Sequence, residues 1–169
     1  VKIKNPININ KKIFSIIMFS IISIFIIMYY LFLSIISFYK YLKYNMHLKG
    51  KNVCVIGRSD LVGKPLAAML TDEDATVTLC HSKTKNLYRH IFNADVIVCA
   101  VGKAKFLNCY PIQVPVIDVG INFDENGKMC GDCFFSGGIT SATNVSPIPG
   151  GVGLLTRVAL LENVVEAAQ

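Results

Sequence analysis

The run "VCVIGRSDLVGKPLAAML", from Val53 to Leu70, is the feature that most constrains this chain. Four apolar residues make a short buried strand, a glycine turn follows, and a helix starts beyond it. Pro65 sits in the first turn of that helix, where a missing N–H costs little. A strand that enters a helix through glycines is a βα unit, and the pattern repeats. "ATVTLC" (75–80), "ADVIVCAVG" (94–102) and "VPVIDVG" (114–120) read as further strands. "SKTKNLYRHIF" (82–92) reads as a helix with Ser82 or Thr84 near its cap. "LLTRVALLENVVEAA" (154–168) closes the chain as an amphipathic helix, with Leu155, Val158, Ala159, Leu161 and Val165 on its apolar face. Apolar strands alternating with helices imply an α/β domain, a parallel sheet covered by helices.

The glycine turn reads G-x-S-x-x-x-G, from Gly57 through Ser59 to Gly63. It follows a strand and opens a helix, as a dinucleotide cradle requires. Gly57 lets the backbone turn sharply. Gly63 allows close approach at the helix N-terminus, where free N–H groups favour an anion. Ser59 offers a hydroxyl. An ordinary βα turn shows the same local pattern. The end of the second strand narrows the choice of cofactor. An NAD site places a carboxylate there for the ribose 2′-hydroxyl. Here the strand ends "LCHSKT" (79–84), without an acid. Ser82, Lys83 and Thr84 suit a 2′-phosphate, and Arg58 adds a fork of donors. The pattern favours NADP over NAD.

Residues 1–46 differ from the rest. From Ile13 to Tyr39 run 27 uncharged, mostly apolar residues, enough to cross a bilayer as a helix, with lysines at both flanks. Roughly three quarters of residues 1–46 are Phe, Tyr, Met, Ile, Asn or Lys. That bias fits translated AT-rich sequence or an artefact of the gene model as well as it fits a membrane anchor. The organisation is thus a hydrophobic segment (1–46) and an α/β domain (47–169). Eight of the 17 basic residues lie at or before Lys51, whereas the first acid is Asp60. The remainder carries nine basic and eleven acidic residues, net −2, and has no basic stripe with interleaved aromatics, which argues against nucleic-acid binding. Cys54, Cys80 and Cys99 lie in apolar strands and read as buried free thiols. Cys130 and Cys133 make a lone C-x-x-C with no second pair or His pair after it, a weak basis for a metal site.

The motifs "GRSDLVGKP", "CHSKT", "ADVIVCAVG", "VIDVGIN", "GD" and "PIPGGVGLLT", in this order, closely resemble those of the bifunctional methylenetetrahydrofolate dehydrogenase/cyclohydrolase family. The likeness covers roughly residues 47–169. It implies that family's C-terminal NAD(P)-binding domain, a Rossmann-type doubly wound parallel sheet. The family oxidises 5,10-methylenetetrahydrofolate with NADP as hydride acceptor, then hydrolyses the methenyl product to 10-formyltetrahydrofolate. By the same likeness Gly57, Arg58, Ser59 and Ser82 match cofactor contacts, and Ile121 matches a residue beside the nicotinamide end. Pro149, Gly150, Gly151, Val152 and Gly153 match the loop on the folate side of the cleft. The resemblance also implies tetrahydrofolate derivatives as substrate, a homodimer, and a cytoplasmic or mitochondrial setting.

The departures are informative. Ser146-Pro147-Ile148-Pro149 replaces the family's usual Thr-Pro-Val-Pro, and Leu154 replaces a proline. Cys133 stands where the family commonly has an aliphatic residue. The family's catalytic Tyr-x-x-x-Lys and folate loop belong to a separate N-terminal domain that residues 1–46 do not resemble. Tyr39 and Lys43 match the Tyr-x-x-x-Lys spacing, but abut the nucleotide-binding domain without the intervening domain that would aim them, so no catalytic residue is assigned. The chain as given is expected to bind NADP weakly and not to turn over the folate alone. The alternatives are a non-catalytic, membrane-anchored NADP(H)-binding module, with contact through residues 13–39, and a short Rossmann oxidoreductase for another substrate.

Overall fold

The computed structural model describes residues 13–25, 35–36, 39, 46–108, 112, 114–134, 145–154, 158, 161 and 165. In chain order they form β1 (Asn52–Ile56), α1 (Gly63–Asp72), β2 (Thr76–Cys80), α2 (Leu87–Phe92), β3 (Val96–Cys99), β4 (Leu107–Asn108), β5 (Val116–Asp118), β6 (Asn122–Phe123), β7 (Met129–Cys130) and β8 (Cys133–Phe134). Strands β2-β1-β3-β5 make a four-stranded sheet in which every pair is parallel. This is the Rossmann-like α/β arrangement expected. Because β2 pairs on one side of β1 and β3 on the other, the chain reverses direction across the sheet between them. Ligands of such sheets bind outside the C-terminal strand ends at that reversal.

The sheet is buried on both faces, which explains why its strands read as continuous apolar runs. Val53, Val55, Val96, Val98 and Ile117 point to one face, where Leu66 and Leu70 of α1 cover them. Those two leucines, one turn apart, are fully buried. Cys54, Ile56, Cys80, Ile97, Cys99 and Val116 point to the other, under Ile91 of α2 with Leu107 and Ile112. The three strand cysteines are buried free thiols, as expected. Burial first, and then the neighbouring Cys80, pushes the Cys54 thiol far above the usual range.

One expectation needs correction and two are met only in part. Helix α2 begins only at Leu87, behind Asn86 in a left-handed conformation (φ 52°) without a side-chain cap. Thr84 closes the preceding turn instead, its Oγ1 accepting from the His81 N–H at 2.8 Å. Of the expected apolar face of the closing helix, the described Val158, Leu161 and Val165 are all more than half exposed. Leu155 and Ala159 lie outside the described residues. It is Val152, at the start of that helix, that enters the core beside α1. Finally, the expected bilayer-spanning stretch 13–39 is described only at 13–25, 35–36 and 39, and finds no support there. Residues 13–25 are helical, but among the described residues no helix is long and apolar enough to cross a membrane. Ile35 lies in the core of the domain.

Candidate functional site

Register places Cys80, Ile56, Cys99 and Asp118 in one row across the sheet. The residues that follow them emerge together from the C-terminal edge. Three hydrogen bonds lock this exit: Gly57 N–H to Cys80 O (2.9 Å), Ala100 N–H to Ile56 O (2.8 Å) and Val119 N–H to Cys99 O (2.9 Å). From β2 to β5 the edge spans about 14 Å at ordinary strand spacing. Along it lie His81–Thr84, Gly57–Ser59, Ala100–Lys103 and Val119–Ile121. Most of the sequence-derived candidates therefore share one edge.

Glycine is required at the central turn for packing. Gly57 has φ +118°, and a Cβ there would come within 2.0 Å of the Ala100 carbonyl oxygen. A Cβ on Gly63 would come within 2.0 Å of the Gly57 carbonyl oxygen. Gly63 thus lets α1 close onto the turn itself. The expected free N–H groups of the helix start are also used internally. Val62 and Gly63 donate to Ser59 Oγ (3.1 and 3.4 Å), Lys64 N–H donates to Ser59 O (3.1 Å), and Pro65 has no N–H. The available donors lie one step earlier. The backbone N–H groups of Arg58, Ser59, Asp60 and Leu61 have no partner among the described residues. Successive free N–H groups in a turn are an anion-binding arrangement. The Ser59 hydroxyl accepts from the helix and keeps its proton to donate.

At the β2 end, Ser82 and Lys83 are exposed beside the turn. Thr84 is committed to closing the loop. The Arg58 side chain is exposed and unpaired among the described residues. The one carboxylate in the glycine turn, Asp60, is held by Lys64 Nζ at 2.5 Å, and that hydrogen bond and charge lower its pKa. Ser82, Lys83 and Arg58 thus leave a positive, donor-rich edge.

At the β5 end, Ile121 is 67% exposed. The double-glycine loop joins it there. Ser146 N–H donates to Val116 O (3.0 Å), and Ser146 Oγ accepts from Asp118 N–H (2.9 Å). Gly150 (φ +112°) and Gly153 have open space where a Cβ would stand. Gly151 is needed by the loop itself, since a Cβ would meet Pro147 O at 2.4 Å. Pro149 is exposed, but the Val152 side chain is buried and does not reach this surface.

Two residues that sequence reasoning passed over organise this end. Asp132 is fully buried. Its Oδ2 accepts from Val101 N–H (2.6 Å) and Gly102 N–H (2.9 Å), and its Oδ1 from Lys103 N–H (3.0 Å) and Asn122 Nδ2 (2.8 Å). Asp118 accepts from the N–H groups of Gly120 (2.9 Å), Asp132 (3.1 Å) and Cys133 (2.8 Å). Burial pushes the Asp118 carboxyl up, against the pull of those bonds. The sequence signals were a glycine near each acid and their place in the motifs "VIDVGIN" and "GD". Cys133 lies against Cys99 and Asp118, which raise its thiol pKa together with burial. No group of metal-ligating side chains occurs among the described residues. Tyr39 donates to the Glu73 carboxylate beyond α1, at the opposite end of the sheet, and Lys43 lies outside the described residues. A pocket of about 240 Å³ lined by His47, Leu48, Lys49, Asp72, Glu73 and Asp74 is also at that far end.

Residues 34–169 match the family model described as the tetrahydrofolate dehydrogenase/cyclohydrolase NAD(P)-binding domain. The chain is 48% identical over 129 residues to the bifunctional protein FolD of Bacillus subtilis (strain 168), covering 75% of this chain and 46% of that protein. Among solved structures it resembles the FolD methylenetetrahydrofolate dehydrogenase/cyclohydrolase of Campylobacter jejuni (TM-score 0.65, 38% identity, 80% of this chain and 49% of that one). It also resembles the Trypanosoma brucei FolD, solved with NADP and an inhibitor (TM-score 0.63, 30% identity, 79% and 48%). The chain spans about half the length of the relatives it matches.

Proposed function

The chain belongs to the tetrahydrofolate dehydrogenase/cyclohydrolase family through its NAD(P)-binding domain, and on that footing we propose that it binds NADP as the cofactor half of a folate-converting enzyme. The observation that carries the reading is the C-terminal edge of the sheet. Unpartnered N–H groups at Arg58–Leu61 suit a diphosphate, and Ser82, Lys83 and Arg58 suit a 2′-phosphate with no carboxylate at the end of β2 to repel it. An extended dinucleotide that starts at β2 and crosses the β1 turn must continue toward β3 and β5. On that path its nicotinamide half would lie by Ile121 and the loop at Pro149–Gly153.

When bound, the nicotinamide supplies the hydride acceptor for 5,10-methylenetetrahydrofolate. The chain's own contribution is orientation. Ile121 offers an apolar side chain for one side of a ring, and Gly150 and Gly153 leave backbone open on the folate side. The same cleft would serve the hydrolysis of the methenyl product, with the folate-facing residues supplied by the half of the family's length that this chain does not span. A homodimer is part of the same proposal. No described helix supports the tethered, non-catalytic alternative.

The test is a pair of binding titrations on the 169-residue chain. NADP should bind at least about tenfold more tightly than NAD, the difference expected for a charge-assisted phosphate site. Equal affinity, or a preference for NAD, would overturn the reading of the β2 end. Light scattering of the same sample checks the dimer.

A further inference from the structure

Resting on the NADP reading, we propose that Asp132 is a positioning residue for the nicotinamide half of the cofactor. Its carboxylate accepts from both the loop after β3 and Asn122 in the segment after β5. Those two loops flank the path that a dinucleotide takes once it has crossed the glycine turn.

The geometry points to a built device. Three consecutive N–H groups, Val101 to Lys103, converge on the two oxygens of one side chain, and the Asn122 amide completes the set. Asn122 directly follows Ile121, so the exposed isoleucine is held at its root by the same carboxylate. The β3 loop in turn continues from Ala100, whose carbonyl lies against Gly57. The surroundings make way for the acid. A Cβ on Gly120 would come within 2.2 Å of the Asp132 carboxyl, and a Cβ on Gly131 within 2.0 Å of Asp118 Oδ2. Asp118 then fixes the Asp132 backbone by accepting its N–H. A fully buried carboxylate is costly unless it is saturated with donors, and four donors meet that condition here. None of its bonds reaches the β2 end or Arg58–Ser59. Asp132 therefore acts on one half of the edge.

That asymmetry is the test. Asp132→Asn turns one oxygen into a donor that faces two N–H donors, so the two loops come apart. The full chain and the variant are titrated with NADP and with adenosine 2′,5′-bisphosphate, which carries the 2′-phosphate end and no nicotinamide. The variant should lose NADP affinity by about tenfold or more while the fragment stays within about twofold of wild type. Asn122→Ser removes only one donor, serves if the first variant does not fold, and should move NADP alone in the same direction by about threefold. Parallel loss of both probes would mean that Asp132 only maintains the fold, and unchanged NADP binding in the folded variants would mean that the loops position nothing; either overturns the inference. A wild-type chain that binds neither probe refutes the NADP reading itself, and the inference falls with it.

Discussion

Replacing Gly57 by alanine separates two costs that the glycine turn combines. At φ +118° an alanine is strained, and its Cβ would sit 2.0 Å from the Ala100 carbonyl oxygen, a backbone atom that cannot swing aside. Strain at such a position is worth about 1–3 kcal/mol and forced overpacking about 1–3 kcal/mol, so the sum is about 2–6 kcal/mol. Two other glycines isolate the parts. Gly102 has φ +69° and open space around it, so Gly102→Ala carries strain alone. Its net cost is about 1 kcal/mol once the stiffer unfolded chain is counted. Gly63 has the contact, 2.0 Å to the Gly57 carbonyl oxygen, and no positive φ. Gly63→Ala carries the clash, less about 1 kcal/mol gained in helix propensity. Urea unfolding followed by circular dichroism reads the ranking. With a slope of about 2 kcal/mol/M, Gly57→Ala should lower the midpoint by about 1–3 M, Gly102→Ala by about 0.5 M and Gly63→Ala by about 0–1 M. If Gly57→Ala and Gly102→Ala unfold at the same midpoint, the backbone contact with Ala100 carries no weight and the tight turn is not what fixes β1 against β3.

Other expectations follow from the same edge and core. Arg58→Ala and Ser82→Ala should each weaken NADP by about tenfold and leave NAD within about twofold, as read by titration; equal loss of both would move these residues off the 2′-phosphate. Asp118 has a raised folded-state pKa, so between its ordinary value of 3.8 and the raised one the native state holds a proton that the unfolded state lacks. Its contribution to stability is therefore larger at low pH and falls as pH rises through the raised value. The stability of wild type relative to Asp118→Asn should then improve from about pH 7 down to about pH 4, and a flat difference would refute this. In a timed alkylation followed by mass spectrometry, Cys130, half-buried, should react well before Cys54, which is buried with a strongly raised pKa. Reaction of Cys54 at a similar rate would mean that the sheet opens readily.

The parallel sheet was legible because both of its faces are covered. Strands such as "VCVI" and "VIVC" carry no alternation to misread, and helical intervals between them leave few topologies. The closing helix was legible as a helix, but what its apolar face meets was not. Its apolar spacing is plain, yet Val158, Leu161 and Val165 stand exposed. Periodicity reports that a face is apolar and says nothing of what lies opposite. Helix α2 failed at its start because Thr84, a good capping residue by type, was captured by the N–H of His81, three residues back.

The site divides along the same line. The glycine pattern located the turn correctly and misassigned its donors. Which N–H groups remain free depends on where the Ser59 hydroxyl points, and that is decided by the packing of Gly63 on Gly57 rather than by spacing. The acids are the sharper case. In sequence, Asp118 ends an apolar strand and Asp132 sits between two cysteines, and the residues alone gave neither a role. In the fold they are the two buried polar side chains of the described core, and seven hydrogen bonds from three segments, 101–103, 120–122 and 132–133, end on them. No local pattern encodes this, because the donors come from residues 10 to 31 positions away for Asp132. A buried carboxylate is selected by the sum of its donors, and that sum exists only after the strands have aligned. The C-terminal edge of the sheet is therefore specified at two levels: the β1 turn by local glycines, and the β3–β5 half by a carboxylate whose hydrogen bonds appear only in three dimensions.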